Sequence, residues 1–374
     1  MFLAIRSTSA VNYVLIVKNR SMQAGREIIV IGGGVIGLAT AIELRLLGAK
    51  VTILSKDFKA AAGHAAAGML APQAEQIPTG SMLDLCLASR ELYPSWVQKI
   101  ESISDVDAGY WQCGILAPRY TQTEQSTDWL AALTVHAQQA GLNDSIAGGY
   151  WYPADGQVDN RALIRSLFSA SQSLGIEFLD GVTVQTIHPH QHRITHLETS
   201  QGNMSAPHYI LATGAWSQQL LSIEVVPRKG QMLSVSVPPE QRDHLPLQQV
   251  LFGEEIYIVP RQDGKIIIGA TSEDVGFTPQ NTQQGVQQLL TAATRLFPLL
   301  QDFPLHETWW GFRPATPDEL PILGKSRYEN LTLATGHYRN GILLTPITAK
   351  LIADLVWDQK VDSLLSAMSW ERFN

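Results

Sequence analysis

The sequence predicts a mixed α/β fold, a Rossmann-like nucleotide-binding domain interleaved with a second domain. Three observations lead there. A glycine-rich turn joins an apolar run to a run of helical spacing near the N-terminus. Short strand-like and helical stretches alternate along the rest of the chain. No low-complexity linker separates one half from the other, so the chain is expected to cross between its domains several times.

Residues 28–31 form a short continuous apolar run, residues 35–47 have helical spacing closed by Gly48, and residues 51–54 are apolar again, which reads as strand, helix, strand. Asp159 is placed as the cap of a helix running to about residue 174, followed by Gly175 and strands near 177–179, 183–187 and 193–199. Residues 209–212 read as another apolar strand. β-Like stretches follow at 231–237, 256–260 and 265–270, then a helix over 283–297, a buried strand at 331–335 and a closing amphipathic helix over 342–357.

With 45% hydrophobic residues, 16% charged residues and a net charge of −7, the chain has the composition of a globule with no polyanion-binding surface, so nucleic acid is not an expected partner. Cys86 and Cys113 are too few for a disulfide framework and lack zinc-site spacing; no metal is expected, and a reducing, cytoplasmic setting is. Both thiols are expected in the core. Residues 1–25 hold three basic residues and no acid, but their apolar run, 11–17, is short and broken by Asn12 and Tyr13, with no cleavage signal after it. The segment is expected to be a disordered extension, with Met22 a candidate start. No apolar stretch reaches the roughly 18 residues of a spanning helix, so no membrane partner is expected.

The turn Gly32-Gly33-Gly34-Val35-Ile36-Gly37 satisfies G-x-G-x-x-G at a strand-to-helix junction. Gly32 permits the tight turn, Gly34 lets backbone approach a pyrophosphate, and Gly37 lets helix and strand pack closely, with the helix N-terminus facing the phosphate charge. The acidic residue that would bond the ribose is replaced by Ser55, followed by Lys56 and Asp57. A serine hydroxyl still hydrogen-bonds but loses the carboxylate's bidentate grip. Asp57 substitutes only if the loop folds back, and a phosphate on the ribose, as in NADP binding, stays open as the alternative. The small-residue run 63–70 lets amides approach a second portion of an elongated cofactor. The turn 336–341, between an apolar strand and a helix, can aim amides at an electron-rich ring edge.

The stretches IGGGVIGLATAIEL, HAAAGMLAPQAE, LATGAWS, YIVPR, GATSE, GFRPATPDELPILG and GHYRNGILLTPITA, in that order, resemble the D-amino-acid oxidase-like family of flavoproteins, its glycine oxidase-like branch most. The likeness runs from about residue 27 to 358. It implies a Rossmann-like FAD-binding domain (26–80, 155–225 and 325–360) and an interleaved antiparallel-sheet substrate domain (81–154 and 226–324). It further implies FAD contacts at Val35, Ile36, Ser55, Lys56, Ala62, Gly63, Ala67, Gly68 and Met69, at Val182 beside the adenine, and at His337, Tyr338, Arg339, Asn340, Gly341, Ile342 and Leu343. Since both cysteines precede residue 114, no C-terminal cysteine tethers the flavin, and noncovalent FAD is expected.

A small amino acid presents a carboxylate, for which arginine offers a planar two-toothed fork and tyrosine a further donor. Arg313, Arg339 and Tyr257 are the candidates. The resemblance gives Arg313 the carboxylate, Arg339 a place near flavin and substrate, and Tyr257 closure of the site. Trp309 and Trp310 are candidate pocket walls. Arg261 is expected to be solvated, Glu255 to be an exposed strand carboxylate and His64 to be local structure beside the flavin. The implied activity is oxidative deamination of glycine and other small amines, among them sarcosine and D-alanine. The resemblance also implies molecular oxygen as the acceptor, an imine that feeds thiamine thiazole synthesis, and a homotetramer. A neutral bound amine can push a hydride from Cα to flavin, so no acid–base pair is required of the protein. The rivals are another amine oxidase or D-amino acid dehydrogenase of the same fold, a non-catalytic FAD-binding subunit, and an NADP-dependent dehydrogenase.

Overall fold

The computed structural model describes residues 26–122 and 126–373, and the extension read over 1–25 lies outside the described residues. Two sheets organise it. The first has six strands in the order Ile322–Lys325, Leu331–Thr335, His208–Leu211, Glu27–Ile31, Lys50–Ser55 and Glu177–Asp180. Its neighbours pair in parallel except the antiparallel pair at the Ile322–Lys325 edge. Its central strands are buried on both faces, which is why they read as unbroken apolar runs and not as alternating ones.

Helix α1 (Val35–Leu47) follows the first strand, with nine of its 13 residues buried. It stops at Gly48, whose left-handed φ of 111° lets its N–H reach back to the carbonyls of Arg45 and Leu44. Helix α2 (Ser81–Ser104), to which the sequence analysis assigns no element, runs through Pro94 and buries Leu85, Tyr93, Trp96, Val97 and Ile100 in the same apolar cluster as α1. Residues 81–104, grouped by sequence with the second domain, therefore pack on the helical layer of the first sheet. Helix α3 (Ala132–Gln138) is short. Helix α4 (Asn160–Ser173) starts at Asp159, whose Oδ1 accepts the N–H groups of Arg161 and Ala162 at 2.9 and 3.0 Å, a cap that stabilises a helix by about 1 kcal/mol.

The second sheet has eight strands in the order Leu305–Ala315, Val226–Ser236, Lys265–Gly269, Tyr257–Pro260, Val250–Phe252, Ile115–Arg119, Gly148–Tyr152 and Leu130–Ala131. All pairs are antiparallel except Val250–Phe252 with Ile115–Arg119. Helix α5 (Gln283–Leu296) covers one face through Leu289, Ala293 and Leu296. Helix α6 (Thr345–Trp357) returns to the first sheet, its buried face joining the cluster of α1 and α2. The chain thus visits the first sheet, the second, the first again, the second again and the first once more. Cys86 is buried and Cys113 half-buried, the core positions expected of them.

Candidate functional site

A cavity of about 830 Å³ begins at the C-terminal ends of the parallel strands and reaches across to the second sheet. That volume lies within the roughly 300–1,000 Å³ of small-molecule and cofactor sites, and the position is the one such sheets offer to dinucleotides.

Three glycines at its head have three different reasons to be glycine. Gly32 has φ +116°, and a Cβ there would stand 2.3 Å from the carbonyl oxygen of Ala212. A Cβ on Gly37 would stand 1.9 Å from the Gly32 oxygen, so helix and strand touch there. A Cβ on Gly34 would meet only the Ala61 Cβ, at an ordinary 3.7 Å. Nothing in the protein demands a glycine at that point; its bare face looks into the cavity. Helix α1 begins here without a side-chain cap, so its first amides are left to a ligand, and the macrodipole favours an anion. This is the cradle that a pyrophosphate needs.

Along the cavity lie Val35, Ile36, Ser55 and Lys56, then Ala62, Gly63, Ala67, Gly68 and Met69, with Val182 beside Ser55. Ser55 is buried and its carbonyl holds the Val182 N–H at 2.9 Å. Asp57 also borders the cavity, but its Oδ1 accepts the N–H groups of Lys59 and Ala60 at 3.0 and 3.3 Å, capping its own turn. The small-residue loop is held from behind. Asn160 Nδ2 donates to the carbonyl of Gly63 at 2.8 Å, Trp309 Nε1 to that of Ala65 at 3.0 Å, and Arg261 to that of Ala67 at 2.7 Å. Arg261 is accordingly not solvated: only 6% exposed, it also bonds Asn160 Oδ1 at 3.2 Å and Gln157 Oε1. Pro260 ends its strand buried, its carbonyl accepting from Gln157 Nε2 at 2.7 Å. His64 packs edge-on against Phe58 at 5.0 Å, and burial, then the charge of Arg161, holds its pKa down.

At the far end of the wall, His337, Tyr338, Arg339, Gly341 and Ile342 face the cavity. His337 is buried, its Nε2 is 3.1 Å from Thr348 Oγ1, and burial pushes its pKa down to about 3, so the ring is neutral. Tyr338 takes φ +45°, and its N–H donates to Pro314 at 2.9 Å. Asn340 and Leu343, expected among the flavin contacts, stand behind the wall. The Asn340 N–H donates to the His337 carbonyl at 2.9 Å, and the Leu343 carbonyl accepts from Ser89 Oγ at 2.6 Å.

Where the cavity meets the second sheet, Tyr257, Arg313 and Arg339 line it together, from residues more than 80 positions apart at the extremes. Arg313 lies flat across Gly230, where a Cβ would come within 2.4 Å of its Nη1, and that nitrogen donates to the Thr271 carbonyl at 3.0 Å. The Tyr257 hydroxyl donates to Met232 Sδ at 3.2 Å; burial raises its pKa, and the charge of Arg313 draws it back. The Arg339 guanidinium lies 5.4 Å from the centre of the Tyr338 ring. Neither arginine has a carboxylate partner within ion-pair distance among the described residues, which leaves two positive charges aimed at a partly buried space and suits it to an anion.

Trp309 and Trp310 do not face the cavity. The first braces Ala65 and the second tilts against Phe312, 5.2 Å away; Trp216, Phe252 and Phe312 are aromatic walls, with Tyr257 and Tyr338. Glu255 sits at the rim, its side chain 68% exposed. Sequence reasoning assigned nothing to Glu75, which lines the cavity within the fields of Arg339 and Arg313.

The family model described as FAD dependent oxidoreductase matches residues 27–355. The bifunctional protein ThiO/ThiG of Trichormus variabilis is 57% identical over 360 residues, which are 93% of this chain and 55% of that protein. The chain therefore spans about half the length of these relatives. The glycine oxidase of Geobacillus kaustophilus is 33% identical over 356 residues, 88% of this chain and 92% of that one. The crystal structure of glycine oxidase from Geobacillus kaustophilus superposes with a TM-score of 0.86 at 31% identity, covering 92% of this chain and 98% of that one.

Proposed function

The chain belongs to the FAD dependent oxidoreductase family, and from that premise we propose that it oxidises glycine and comparable small amino acids to their imines, with oxygen as the final electron acceptor. The observation that carries the reading is the convergence of Tyr257, Arg313 and Arg339 in the same cavity as the Gly34 cradle, one part suited to a carboxylate and the other to a pyrophosphate. The likeness to glycine oxidases along nearly the whole chain supports it, and the likeness to ThiO/ThiG supports delivery of the glycine imine to thiazole synthesis.

FAD, when bound, supplies a two-electron acceptor for the hydride of the Cα–H bond. The residues that would hold it are Gly34, Val35 and Ile36 at the pyrophosphate, Ser55, Lys56 and Val182 at the adenosine end, Ala62, Gly63 and 67–69 along its length, and 337–339 with Gly341 and Ile342 at the ring. The chain's own task is orientation. Arg313 grips the substrate carboxylate, the Tyr257 hydroxyl closes on it, and Arg339 adds positive potential beside it, so that Cα has one presentation. The aromatic walls at Phe312 and Trp216 limit the water reaching the site. Either a homotetramer or a smaller assembly accommodates this chemistry, and size-exclusion chromatography with light scattering separates them.

The test is anaerobic mixing of the yellow protein with glycine, sarcosine and D-alanine. Bleaching of the flavin by one or more of them is expected. A flavoprotein that stays yellow with all three amino acids overturns the reading, and a colourless NADP-binding protein would overturn it more deeply.

A further inference from the structure

Arg313, Tyr257 and Arg339 account for a carboxylate, but a dissolved amino acid also brings an ammonium group. Nitrogen can push a hydride from Cα only with its lone pair free, so the ammonium proton has to leave first. Four acidic residues border the cavity: Asp57, Glu75, Glu254 and Glu255. Asp57 caps its own turn at the far end, Glu254 accepts the Tyr120 N–H at 3.1 Å, and Glu255 faces Arg295 at the rim. Glu75 differs. Its Oε2 is shielded from solvent with no hydrogen-bond partner, in a stretch of cavity wall where Arg339, Arg313 and Tyr257 all feel its charge.

The backbone presenting it is braced. The Glu75 N–H donates to the Ala71 carbonyl at 2.9 Å, and the N–H groups of Gln73 and Ala74 donate to Asp155 Oδ2 at 3.2 and 2.9 Å. Asp155 is itself paired with Arg90. Glu75 is only part-buried and lines the cavity, and no hydrogen bond holds its Oε2; a carboxylate on braced backbone beside a carboxylate clamp is what the second functional group of an amino acid requires.

Resting on the amino-acid oxidase reading, we propose that Glu75 receives the ammonium proton of the bound substrate. One N–H bond breaks and one O–H bond forms, leaving a neutral amine and a protonated Glu75. With FAD bound as the two-electron acceptor, the freed lone pair would form the C=N bond as the Cα–H bond breaks and its hydrogen leaves with the electron pair, giving a protonated imine. Glu75 returns its proton to water when the product leaves. Burial raises the carboxyl to about 7; Arg339 opposes this, the charge of Asp155 reinforces it, and Arg313 opposes it. The neighbouring Cys86 thiol, pushed up to about 12 by burial and by Glu75, does not compete for the proton. Tyr257, raised by burial, does not either.

The experiment compares wild-type holoenzyme with Glu75→Gln and Glu75→Asp, measuring kcat/KM for glycine against pH. The affinity of glycolate, which carries the carboxylate but no amine, is read in parallel from the flavin spectrum. Wild type is expected to gain efficiency through pH 7 as Glu75 ionises. In Glu75→Gln the rise should move to roughly pH 9 or above, where an aliphatic ammonium loses its own proton, with a loss of roughly 10²–10⁴-fold at pH 7. Flavin content should hold, and glycolate should bind as tightly as before or tighter, because a like charge has gone. Glu75→Asp should keep the rise near neutrality at lower kcat. A rise that stays near pH 7 in Glu75→Gln overturns the proposal, as does an equal loss of glycolate affinity, which would make Glu75 structural. Failure of wild type to bleach with any amino acid instead sinks the function itself.

Discussion

At Arg313 one guanidinium lies across a glycine, donates to a backbone carbonyl, hydrogen-bonds Tyr257 and lines the cavity. Truncation to Ala removes one side of a charge-assisted pair shielded from water, which costs on the order of 2–5 kcal/mol. At about 1.4 kcal/mol per decade, kcat/KM for glycine should fall roughly 30- to 5,000-fold. Flavin content should stay normal, and Arg313→Lys should recover only part, since it keeps the charge and loses the fork. Normal glycine oxidation with depleted flavin would reassign the residue to cofactor binding. Arg313 was singled out only through the resemblance that the Gly-Phe-Arg-Pro stretch helps carry, and the fold sets it on the cavity wall. Glu75 was not: it sits in a quoted motif, yet only the fold sets it beside charges that enter the chain more than 230 residues later. Arg261 misled for the same reason, a cation after a strand-ending proline that looks solvated until Ala67, Gln157 and Asn160 pack over it.

The phosphate cradle belongs to the scale of the element. Helix α1 was read to its ends because three local signals agree there: glycines before it, apolar residues throughout, and Gly48 after it. Gly34 and Gly37 make opposite forecasts within that one element. Gly34→Val meets ordinary contact distances in the protein, so a folded variant is expected that has lost its flavin colour. Gly37→Ala drives a methyl into the Gly32 carbonyl, so a lowered Tm is expected instead. Circular dichroism beside visible absorbance checks both, and a yellow Gly34→Val protein would move the pyrophosphate elsewhere. Helix α2 escaped because Pro94 interrupts a pattern, Leu85, Ser89, Tyr93, Trp96 and Ile100, that otherwise has helical spacing. The strand Leu305–Ala315 escaped because its burial does not alternate: paired along Val226–Ser236, it carries the glycine, arginine and proline of the site and not an apolar face.

Across the whole molecule, the two sheets are tied behind the small-residue loop. Arg261, at the end of a second-sheet strand, holds Ala67, Asn160 and Gln157 together, while Arg161 of α4 pairs with Glu307 and lies 4.9 Å over the Trp309 ring. Arg261→Ala strands three buried acceptors, a cost on the order of 2–5 kcal/mol, and in a chain of this length should lower Tm by roughly 3–6 °C. Differential scanning fluorimetry with and without added FAD checks this; an unchanged Tm would show the tie to be incidental. The mixed architecture and its repeated crossings were legible from the βαβ signature and the missing linker. The pairing order of the strands was not, because it is set by contacts between segments hundreds of residues apart. That order bears on how the protein is made. A chain leaving the ribosome N-terminus first completes its glycine turn by residue 37, with the strand beside it ready by residue 55, but the opposite neighbour, His208–Leu211, emerges far later and the ring-edge wall only at residue 342. The nascent first strand therefore waits with one edge bare until residue 211 has been made, a site for a chaperone to cover, and the flavin can enter its finished pocket only after residue 342 has emerged.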